Sequence, residues 1–256
     1  MKLRPCIDIH NGKVKQIVGS SLRDEGDRAQ ENFVSDRGAG YFARLYQSRG
    51  LYGGHVIMLN SVSSPEYAAT KAECKKALKA YPGGLMAGGG ITPENAAEFL
   101  DAGASHVIVT SYVFKDGRMD DAALSRMVRE VGADRLVLDL SCRRRDDRYL
   151  VVTDRWQHFT DQEVTPELFR ELSGSCAEFL VHGVDVEGKA AGADDKLLEI
   201  LTQSVFRPIT YAGGVGDMEC LKGVRRLTGG RIDITIGSAL DIFGGSLPLD
   251  EVLSFL

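Results

Sequence analysis

The chain has 256 residues, 43% of them hydrophobic, and its 31 Lys and Arg against 36 Asp and Glu give a formal net charge of −5. A chain of this length buries about three quarters of its unfolded surface, so it needs no disulfide or metal to fold. Its mild acidity excludes a duplex nucleic-acid binder, whose footprint is a dense Lys/Arg face.

In chain order, short apolar runs over residues 3–9, 55–60, 84–87, 106–109, 135–140, 178–182, 209–212 and 232–236 predict strands. They are nearly continuous in apolar residues, as strands buried on both faces of a parallel sheet are. Amphipathic patterns over 65–81, 93–102, 121–131, 166–173, 194–201, 218–227 and 249–256 predict helices between and after them. Two of these open on Thr-Pro-Glu, at Thr92 and Thr165, where Thr caps free amides, Pro presets φ and Glu meets the positive dipole end. Residues 143–156 predict a hairpin inserted after the fifth strand. The alternation predicts an α/β fold, a (β/α)8 barrel forming one domain over residues 1–256. No apolar run approaches the roughly 20 residues of a membrane helix, and the opening MKLRPCIDIHNG lacks a signal peptide's apolar stretch. Five scattered cysteines, Cys6, Cys74, Cys142, Cys176 and Cys220, form no CxxC pair and predict reduced thiols in the cytoplasm.

The halves repeat. Asp139 follows Asp8 by 131 residues, Gly213 follows Gly89 by 124, and Gly237 follows Thr110 by 127, each pair closing a corresponding strand. Three correspondences in one order predict half-barrels of approximately 1–131 and 132–256.

In a parallel barrel all strand C-termini open on one rim, which carries the chemistry. The repeat sets Asp8 and Asp139 across that mouth, as proton abstraction paired with proton donation requires. As a pair of capping or salt-bridging aspartates they would be poorly placed, because both follow apolar runs. Gly89-Gly90 and Gly213-Gly214 each leave a strand toward a helix, where bare amides cradle a phosphate; in isolation such pairs are also ordinary turns. Thr110-Ser111 and Gly237-Ser238 add amide and hydroxyl donors at the adjacent strand ends. The expected ligand is a small molecule with two phosphates, the aspartates between them. His182 is either a satisfied core histidine or a proton-transfer group. Trp156, the single tryptophan, either stacks on a heterocycle or packs. Arg143, nearest the strand end in an arginine run, is a further candidate for binding. His10, His55, His106 and His158 show no ligand spacing, so no metal is expected, and no GxGxxG opens a helix, so no nucleotide cofactor is indicated.

The segments RPCIDIHNGKVKQIVG, GGGIT, HVIVTSYVF, LVLDLSCR, FLVHGVDVEG, YAGGV and IGSALDIFGG resemble the phosphoribosylformimino-5-aminoimidazole carboxamide ribotide isomerases of histidine biosynthesis, with wording most similar to the fungal and plant branch. That resemblance spans nearly the whole chain and implies a cofactor-independent Amadori rearrangement of a bisphosphate aminal to its ketose isomer. It implies Asp8 as general base. For the acid it leaves two residues open: Asp139 matches the family's strand-five carboxylate, and Glu187 stands where the family has a strand-six Asp before Gly. His182 stands where some relatives have Thr. Met58 and Gln16 depart from the Asp and Arg of many bacterial members. The sister cyclase of imidazole glycerol phosphate synthase is the alternative, but its essential lysine would fall at Gln16, with Lys15 pointing to the opposite face. A non-catalytic barrel that binds sugar phosphates is the reading from another class. A monomer is expected.

Overall fold

The computed structural model describes residues 1–18, 21, 30–189 and 192–256; Gly19, which ends the first resemblance segment quoted above, lies outside them. Eight parallel strands form the barrel: β1 (Cys6–His10), β4 (Gly54–Met58), β5 (Leu85–Gly88), β6 (Val107–Val109), β9 (Leu136–Asp139), β13 (Glu178–His182), β14 (Ile209–Ala212) and β15 (Asp233–Thr235). They hydrogen-bond in that order. A parallel bridge between Leu3 and Ile234 joins last to first, with Arg4 N donating to Ile234 O at 2.8 Å. The sheet therefore closes on itself.

One helix follows each strand: α1 (Ala39–Ser48), α2 (Tyr67–Ala80), α3 (Ala96–Asp101), α4 (Asp121–Val131), α5 (Pro166–Leu172), α6 (Asp195–Gln203), α7 (Met218–Thr228) and α8 (Leu249–Phe255). Outward strand side chains such as Ile7, Ile9 and Phe179 are fully buried against this ring. Inside, Met86, Ile108, Val137 and Leu180 form a separate plug, the layered interior that makes such a barrel a packed core. Below the plug, Arg4 Nε bonds Asp233 Oδ2 at 2.9 Å, and Thr210 Oγ1 donates to Glu178 Oε1 at 2.7 Å.

The cap expected at Thr165 forms, its hydroxyl accepting from Leu168 N with Pro166 in the first turn. The cap expected at Thr92 does not. Asn95 accepts from Thr92 N at 2.9 Å and donates to Gly90 O, so α3 starts only at Ala96. Helix α1 was not foreseen. It opens on Gly38-Ala39-Gly40, which reads as a turn, and its first turn is held from outside by the Glu73 carboxylate accepting from Ala39 N.

Two antiparallel additions decorate the rim. β2 (Lys13–Ile17) folds back on β1 through a two-residue turn at Asn11 and Gly12, φ 52° and 70°, and pairs with β3 (Glu31–Val34). The insert expected at 143–156 is three-stranded rather than a hairpin: β10 (Cys142–Arg145), β11 (Arg148–Thr153) and β12 (His158–Glu163). A small hairpin, β7 (Phe114–Lys115) with β8 (Arg118–Met119), precedes α4.

Candidate active site

A cavity of about 380 Å³ opens at the C-terminal ends of the strands, the size of a small-ligand site. Asp8 from β1, Asp139 from β9, His182 from β13 and Glu187 from the loop after β13 all face it. The sequence candidates for proton transfer therefore meet on one surface.

Asp8 follows Ile7, an outward core residue, so strand alternation turns its carboxylate into the mouth. Burial pushes its pKa up to about 7, and the hydrogen bond from Gln16 Nε2, 3.3 Å away, pulls it back. Glu187 is pushed up to about 8, first by burial and then by the charge of Asp8. Its Oε2 is buried with no hydrogen-bond partner among the described residues. A carboxyl left unpaired in such a place is stable when protonated. Two carboxyls that repel across one cavity take up and release protons as a pair, one ionised while the other is neutral.

Asp139 is held differently. Its Oδ1 accepts from the backbone N–H of Ser141 at 2.8 Å and from the Ser141 hydroxyl. That hydroxyl also lies 2.8 Å from His182 Nδ1. Burial lowers the His182 pKa, and the charge of Asp139 opposes the change. His182 packs against His55, ring centroids 5.9 Å apart, and against Trp156 at 5.3 Å. His55, wholly enclosed, is lowered to about 3 and is neutral.

Trp156 ends three successive left-handed residues, Asp154, Arg155 and Trp156, with φ of 51°, 56° and 65°. Such backbone costs on the order of 1–3 kcal/mol per non-glycine residue and persists only where the surroundings hold it. Here Ser111 Oγ accepts from Asp154 N at 2.9 Å, tying the insert to the end of β6. The strained turn delivers Arg155 and Trp156 to the cavity wall.

Gly89, Gly90, Thr110 and Ser111 line the cavity as expected for an anion cradle. Gly89 is left-handed at φ 96°, and a Cβ there would strike Met58 O. The matching pair is covered. Gly213 and Gly214 take the same left-handed backbone, but residues 192 and 193 lie over Gly214, and the Gln16 side chain occupies the space beside Gly237. None of Gly213, Gly214, Gly237 or Ser238 lines the cavity. Arg143 does not reach it either: its Nε bonds Asp185 at 3.0 Å and its guanidinium lies 5.6 Å from the Phe159 ring centroid. Met58 points its side chain among the outer core residues. Lys15 pairs with Glu31, away from Asp8, while Gln16 turns toward it.

Ser141 and Arg155 escaped sequence reasoning, while Gln16 and His55 were noted there without the contacts they make with Asp8 and His182. A serine two residues beyond an aspartate and an arginine beside the single tryptophan were the available signals. Neither spacing says which partner the fold brings to it. Among the described residues no group of three His, Cys, Asp or Glu gathers as a metal site would need.

The chain matches the family described as Histidine biosynthesis protein over residues 2–247. It is 50% identical over 259 residues to a Medicago truncatula protein named 1-(5-phosphoribosyl)-5-((5-phosphoribosylamino)methylideneamino)imidazole-4-carboxamide isomerase, chloroplastic, covering 100% of this chain and 81% of the relative. Relatives with the same isomerase name from Neurospora crassa and Saccharomyces cerevisiae are 47% and 43% identical, covering 95% and 94% of this chain and 93% and 92% of theirs.

Proposed function

The chain belongs to the Histidine biosynthesis protein family and is an isomerase of that pathway, and we propose that the Asp8–Glu187 pair carries its aldose-to-ketose rearrangement. The reading rests on one observation: two half-buried carboxyls, Asp8 and Glu187, with raised pKa values share one cavity. Near neutral pH, Asp8 supplies the carboxylate and Glu187 the acid.

Glu187 protonates the furanose ring oxygen of the aminal, and the bond from that oxygen to C1′ breaks to leave a Schiff base. Asp8 takes the proton from C2′, giving an enolamine. Tautomerisation, with a proton returned to C1′, yields the ketose. Each positioned acid or base contributes about 10²–10⁴ in rate. Proton transfers and the opening of the sugar ring account for every step without an external oxidant or reductant, so the mechanism calls for no cofactor.

The name borne by the relatives contains two phosphoribosyl groups, and a bisphosphate suits a mouth with two cradles. One phosphate sits at Gly89, Gly90, Thr110 and Ser111. The other enters beside Gly213, Gly214, Gly237 and Ser238 when Gln16 and the loop at 192–193 move aside. Arg155 and Trp156 close over the heterocycle. The left-handed backbone shared by the two glycine pairs supports a barrel of one domain built from two half-barrels. We further take the chain to act as a monomer in the cytoplasm. Four of its five free cysteines are buried, which suits a reducing compartment. No described helix is long and apolar enough to cross a membrane.

The purified chain alone, given the aminal, converts it to the ketose isomer; Asp8→Asn binds the aminal without turning it over. A requirement for ammonia, with imidazole glycerol phosphate as product, identifies the cyclase instead. Binding without turnover in the unaltered chain identifies a sugar-phosphate-binding module.

A further inference from the structure

We propose that Ser141 is a positioning residue that fixes the proton of His182 on Nδ1, couples that ring to Asp139, and leaves Nε2 as a proton acceptor on the cavity wall. Ser141 is fully buried, yet its hydroxyl meets three polar groups. It donates to Asp139 Oδ1, lies 2.8 Å from His182 Nδ1, and accepts from His182 N at 3.2 Å. A hydroxyl has one hydrogen and two lone pairs. Asp139 Oδ1 already accepts from the Ser141 N–H at 2.8 Å, so it acts as the acceptor here too and that hydrogen belongs to Asp139. Nδ1 must then be the donor in its own contact, and in the neutral ring Nε2 carries the lone pair.

No hydrogen bond among the described residues takes Nε2, and it is not among the buried atoms lacking a partner. His182 lines the cavity, so this nitrogen is the ring's free position there. The ring is held in place by Trp156 and His55. When Nε2 takes a proton, the new imidazolium is stabilised through Ser141 by the carboxylate behind it, the role an aspartate plays behind a catalytic histidine.

The reaction has a use for such a group, and this use rests on the isomerase reading above. In the last tautomerisation the hydroxyl on C2′ loses its proton. Its O–H bond breaks and the electron pair forms the C=O. The enolamine double bond takes a proton at C1′ from protonated Asp8. The hydroxyl proton forms a new N–H bond at His182 Nε2. Asp8 cannot accept it while it is the donor to carbon.

The test is nitrogen-15 NMR of histidine-labelled protein, with His182→Gln assigning the signal. The unaltered chain should show Nδ1 protonated and Nε2 bare at neutral pH. Ser141→Ala should move the proton wholly or partly to Nε2 and lower kcat by about 10- to 100-fold, the usual cost of losing such a supporting partner, with KM little changed. Ser141→Thr, which keeps the hydroxyl, should restore both. A ring protonated on Nε2 in the unaltered chain overturns the proposal, and so does a folded Ser141→Ala that keeps both tautomer and kcat. The NMR result stands without activity. The expected tautomer in a chain that leaves the aminal unchanged would refute the isomerase reading and the hydroxyl step, while supporting the placement of the proton.

Discussion

Asp8 and Glu187 owe their raised pKa values chiefly to burial, and this has consequences for rate and for stability. On the mechanism proposed above, turnover uses Asp8 ionised and Glu187 protonated, so kcat/KM should rise through about 7 and fall through about 8. These limbs belong to the pair rather than to either residue alone. In Glu187→Gln the alkaline limb should vanish and the rate fall at least about 100-fold. An Asp139→Asn variant that lost as much rate, together with its alkaline limb, would shift the acid role to Asp139. Stability follows from the sign of the same shift. Asp8 in the folded chain keeps its proton up to about 7, whereas an unperturbed aspartate loses it near 3.8, so between those values the folded state binds more protons than the unfolded. Its contribution is full below the lower value and is lost as pH rises through the upper. Asp8→Asn should therefore flatten the fall in stability between pH 4 and pH 8, by an amount on the order of a few kcal/mol, read from urea unfolding at each pH. A variant with the same pH slope as the parent would show that Asp8 is not strained by burial.

Among the elements, the loop after β13 has the narrowest tolerance. It carries Glu187, and Gly214 lies directly beneath its residues 192 and 193. A Cβ at Gly214 would run into the Gly192 carbonyl, and the φ of 76° already disfavours any L side chain. Gly214→Ala should displace this loop, lowering kcat as well as raising KM for the aminal. Gly237→Ala meets only the end of the flexible Gln16 side chain, so its kcat should stay within a few-fold. Equal effects of the two substitutions would contradict this placement of the loop. The elements also differed in how openly the chain announced them. The barrel strands stood out because burial on both faces leaves long apolar runs. Helix α1 did not, since its start depends on Glu73 from α2, and β2, β3 and β12 are rim strands whose antiparallel partners are supplied by neighbouring hairpins. The Thr92 cap failed for a local reason: the Thr92 side chain bonds the Glu94 carboxylate, and Asn95 ties down the Thr92 amide and the Gly90 carbonyl instead.

For the whole molecule, closure of the barrel depends on the first residues reaching the last strand. Arg4 sits in the barrel floor, 10% exposed, bonded to Asp233 at 2.9 Å and 3.7 Å from Glu178. Removing one partner of a buried ion pair leaves the others uncompensated, at a cost of about 3–5 kcal/mol. Arg4→Leu should lower unfolding stability by that order without changing KM, because the floor lies on the far side of the interior plug from the site. A loss below 1 kcal/mol would mean that the floor charges are solvated. By itself the chain's order of residues determined the alternating fold and the placing of Asp8, Asp139 and His182 at strand ends, since these follow from periodicity and from the rule that parallel strands open on one rim, while Glu187 was legible only through the family resemblance. Tertiary structure alone decided which carboxyls confront each other, that Ser141 stands between Asp139 and His182, that Arg155 rather than Arg143 reaches the cavity, and that one glycine pair lines the cavity while its twin is covered. Those outcomes depend on distances between residues far apart in the chain, set by strand register and loop packing, and no local pattern encodes a distance.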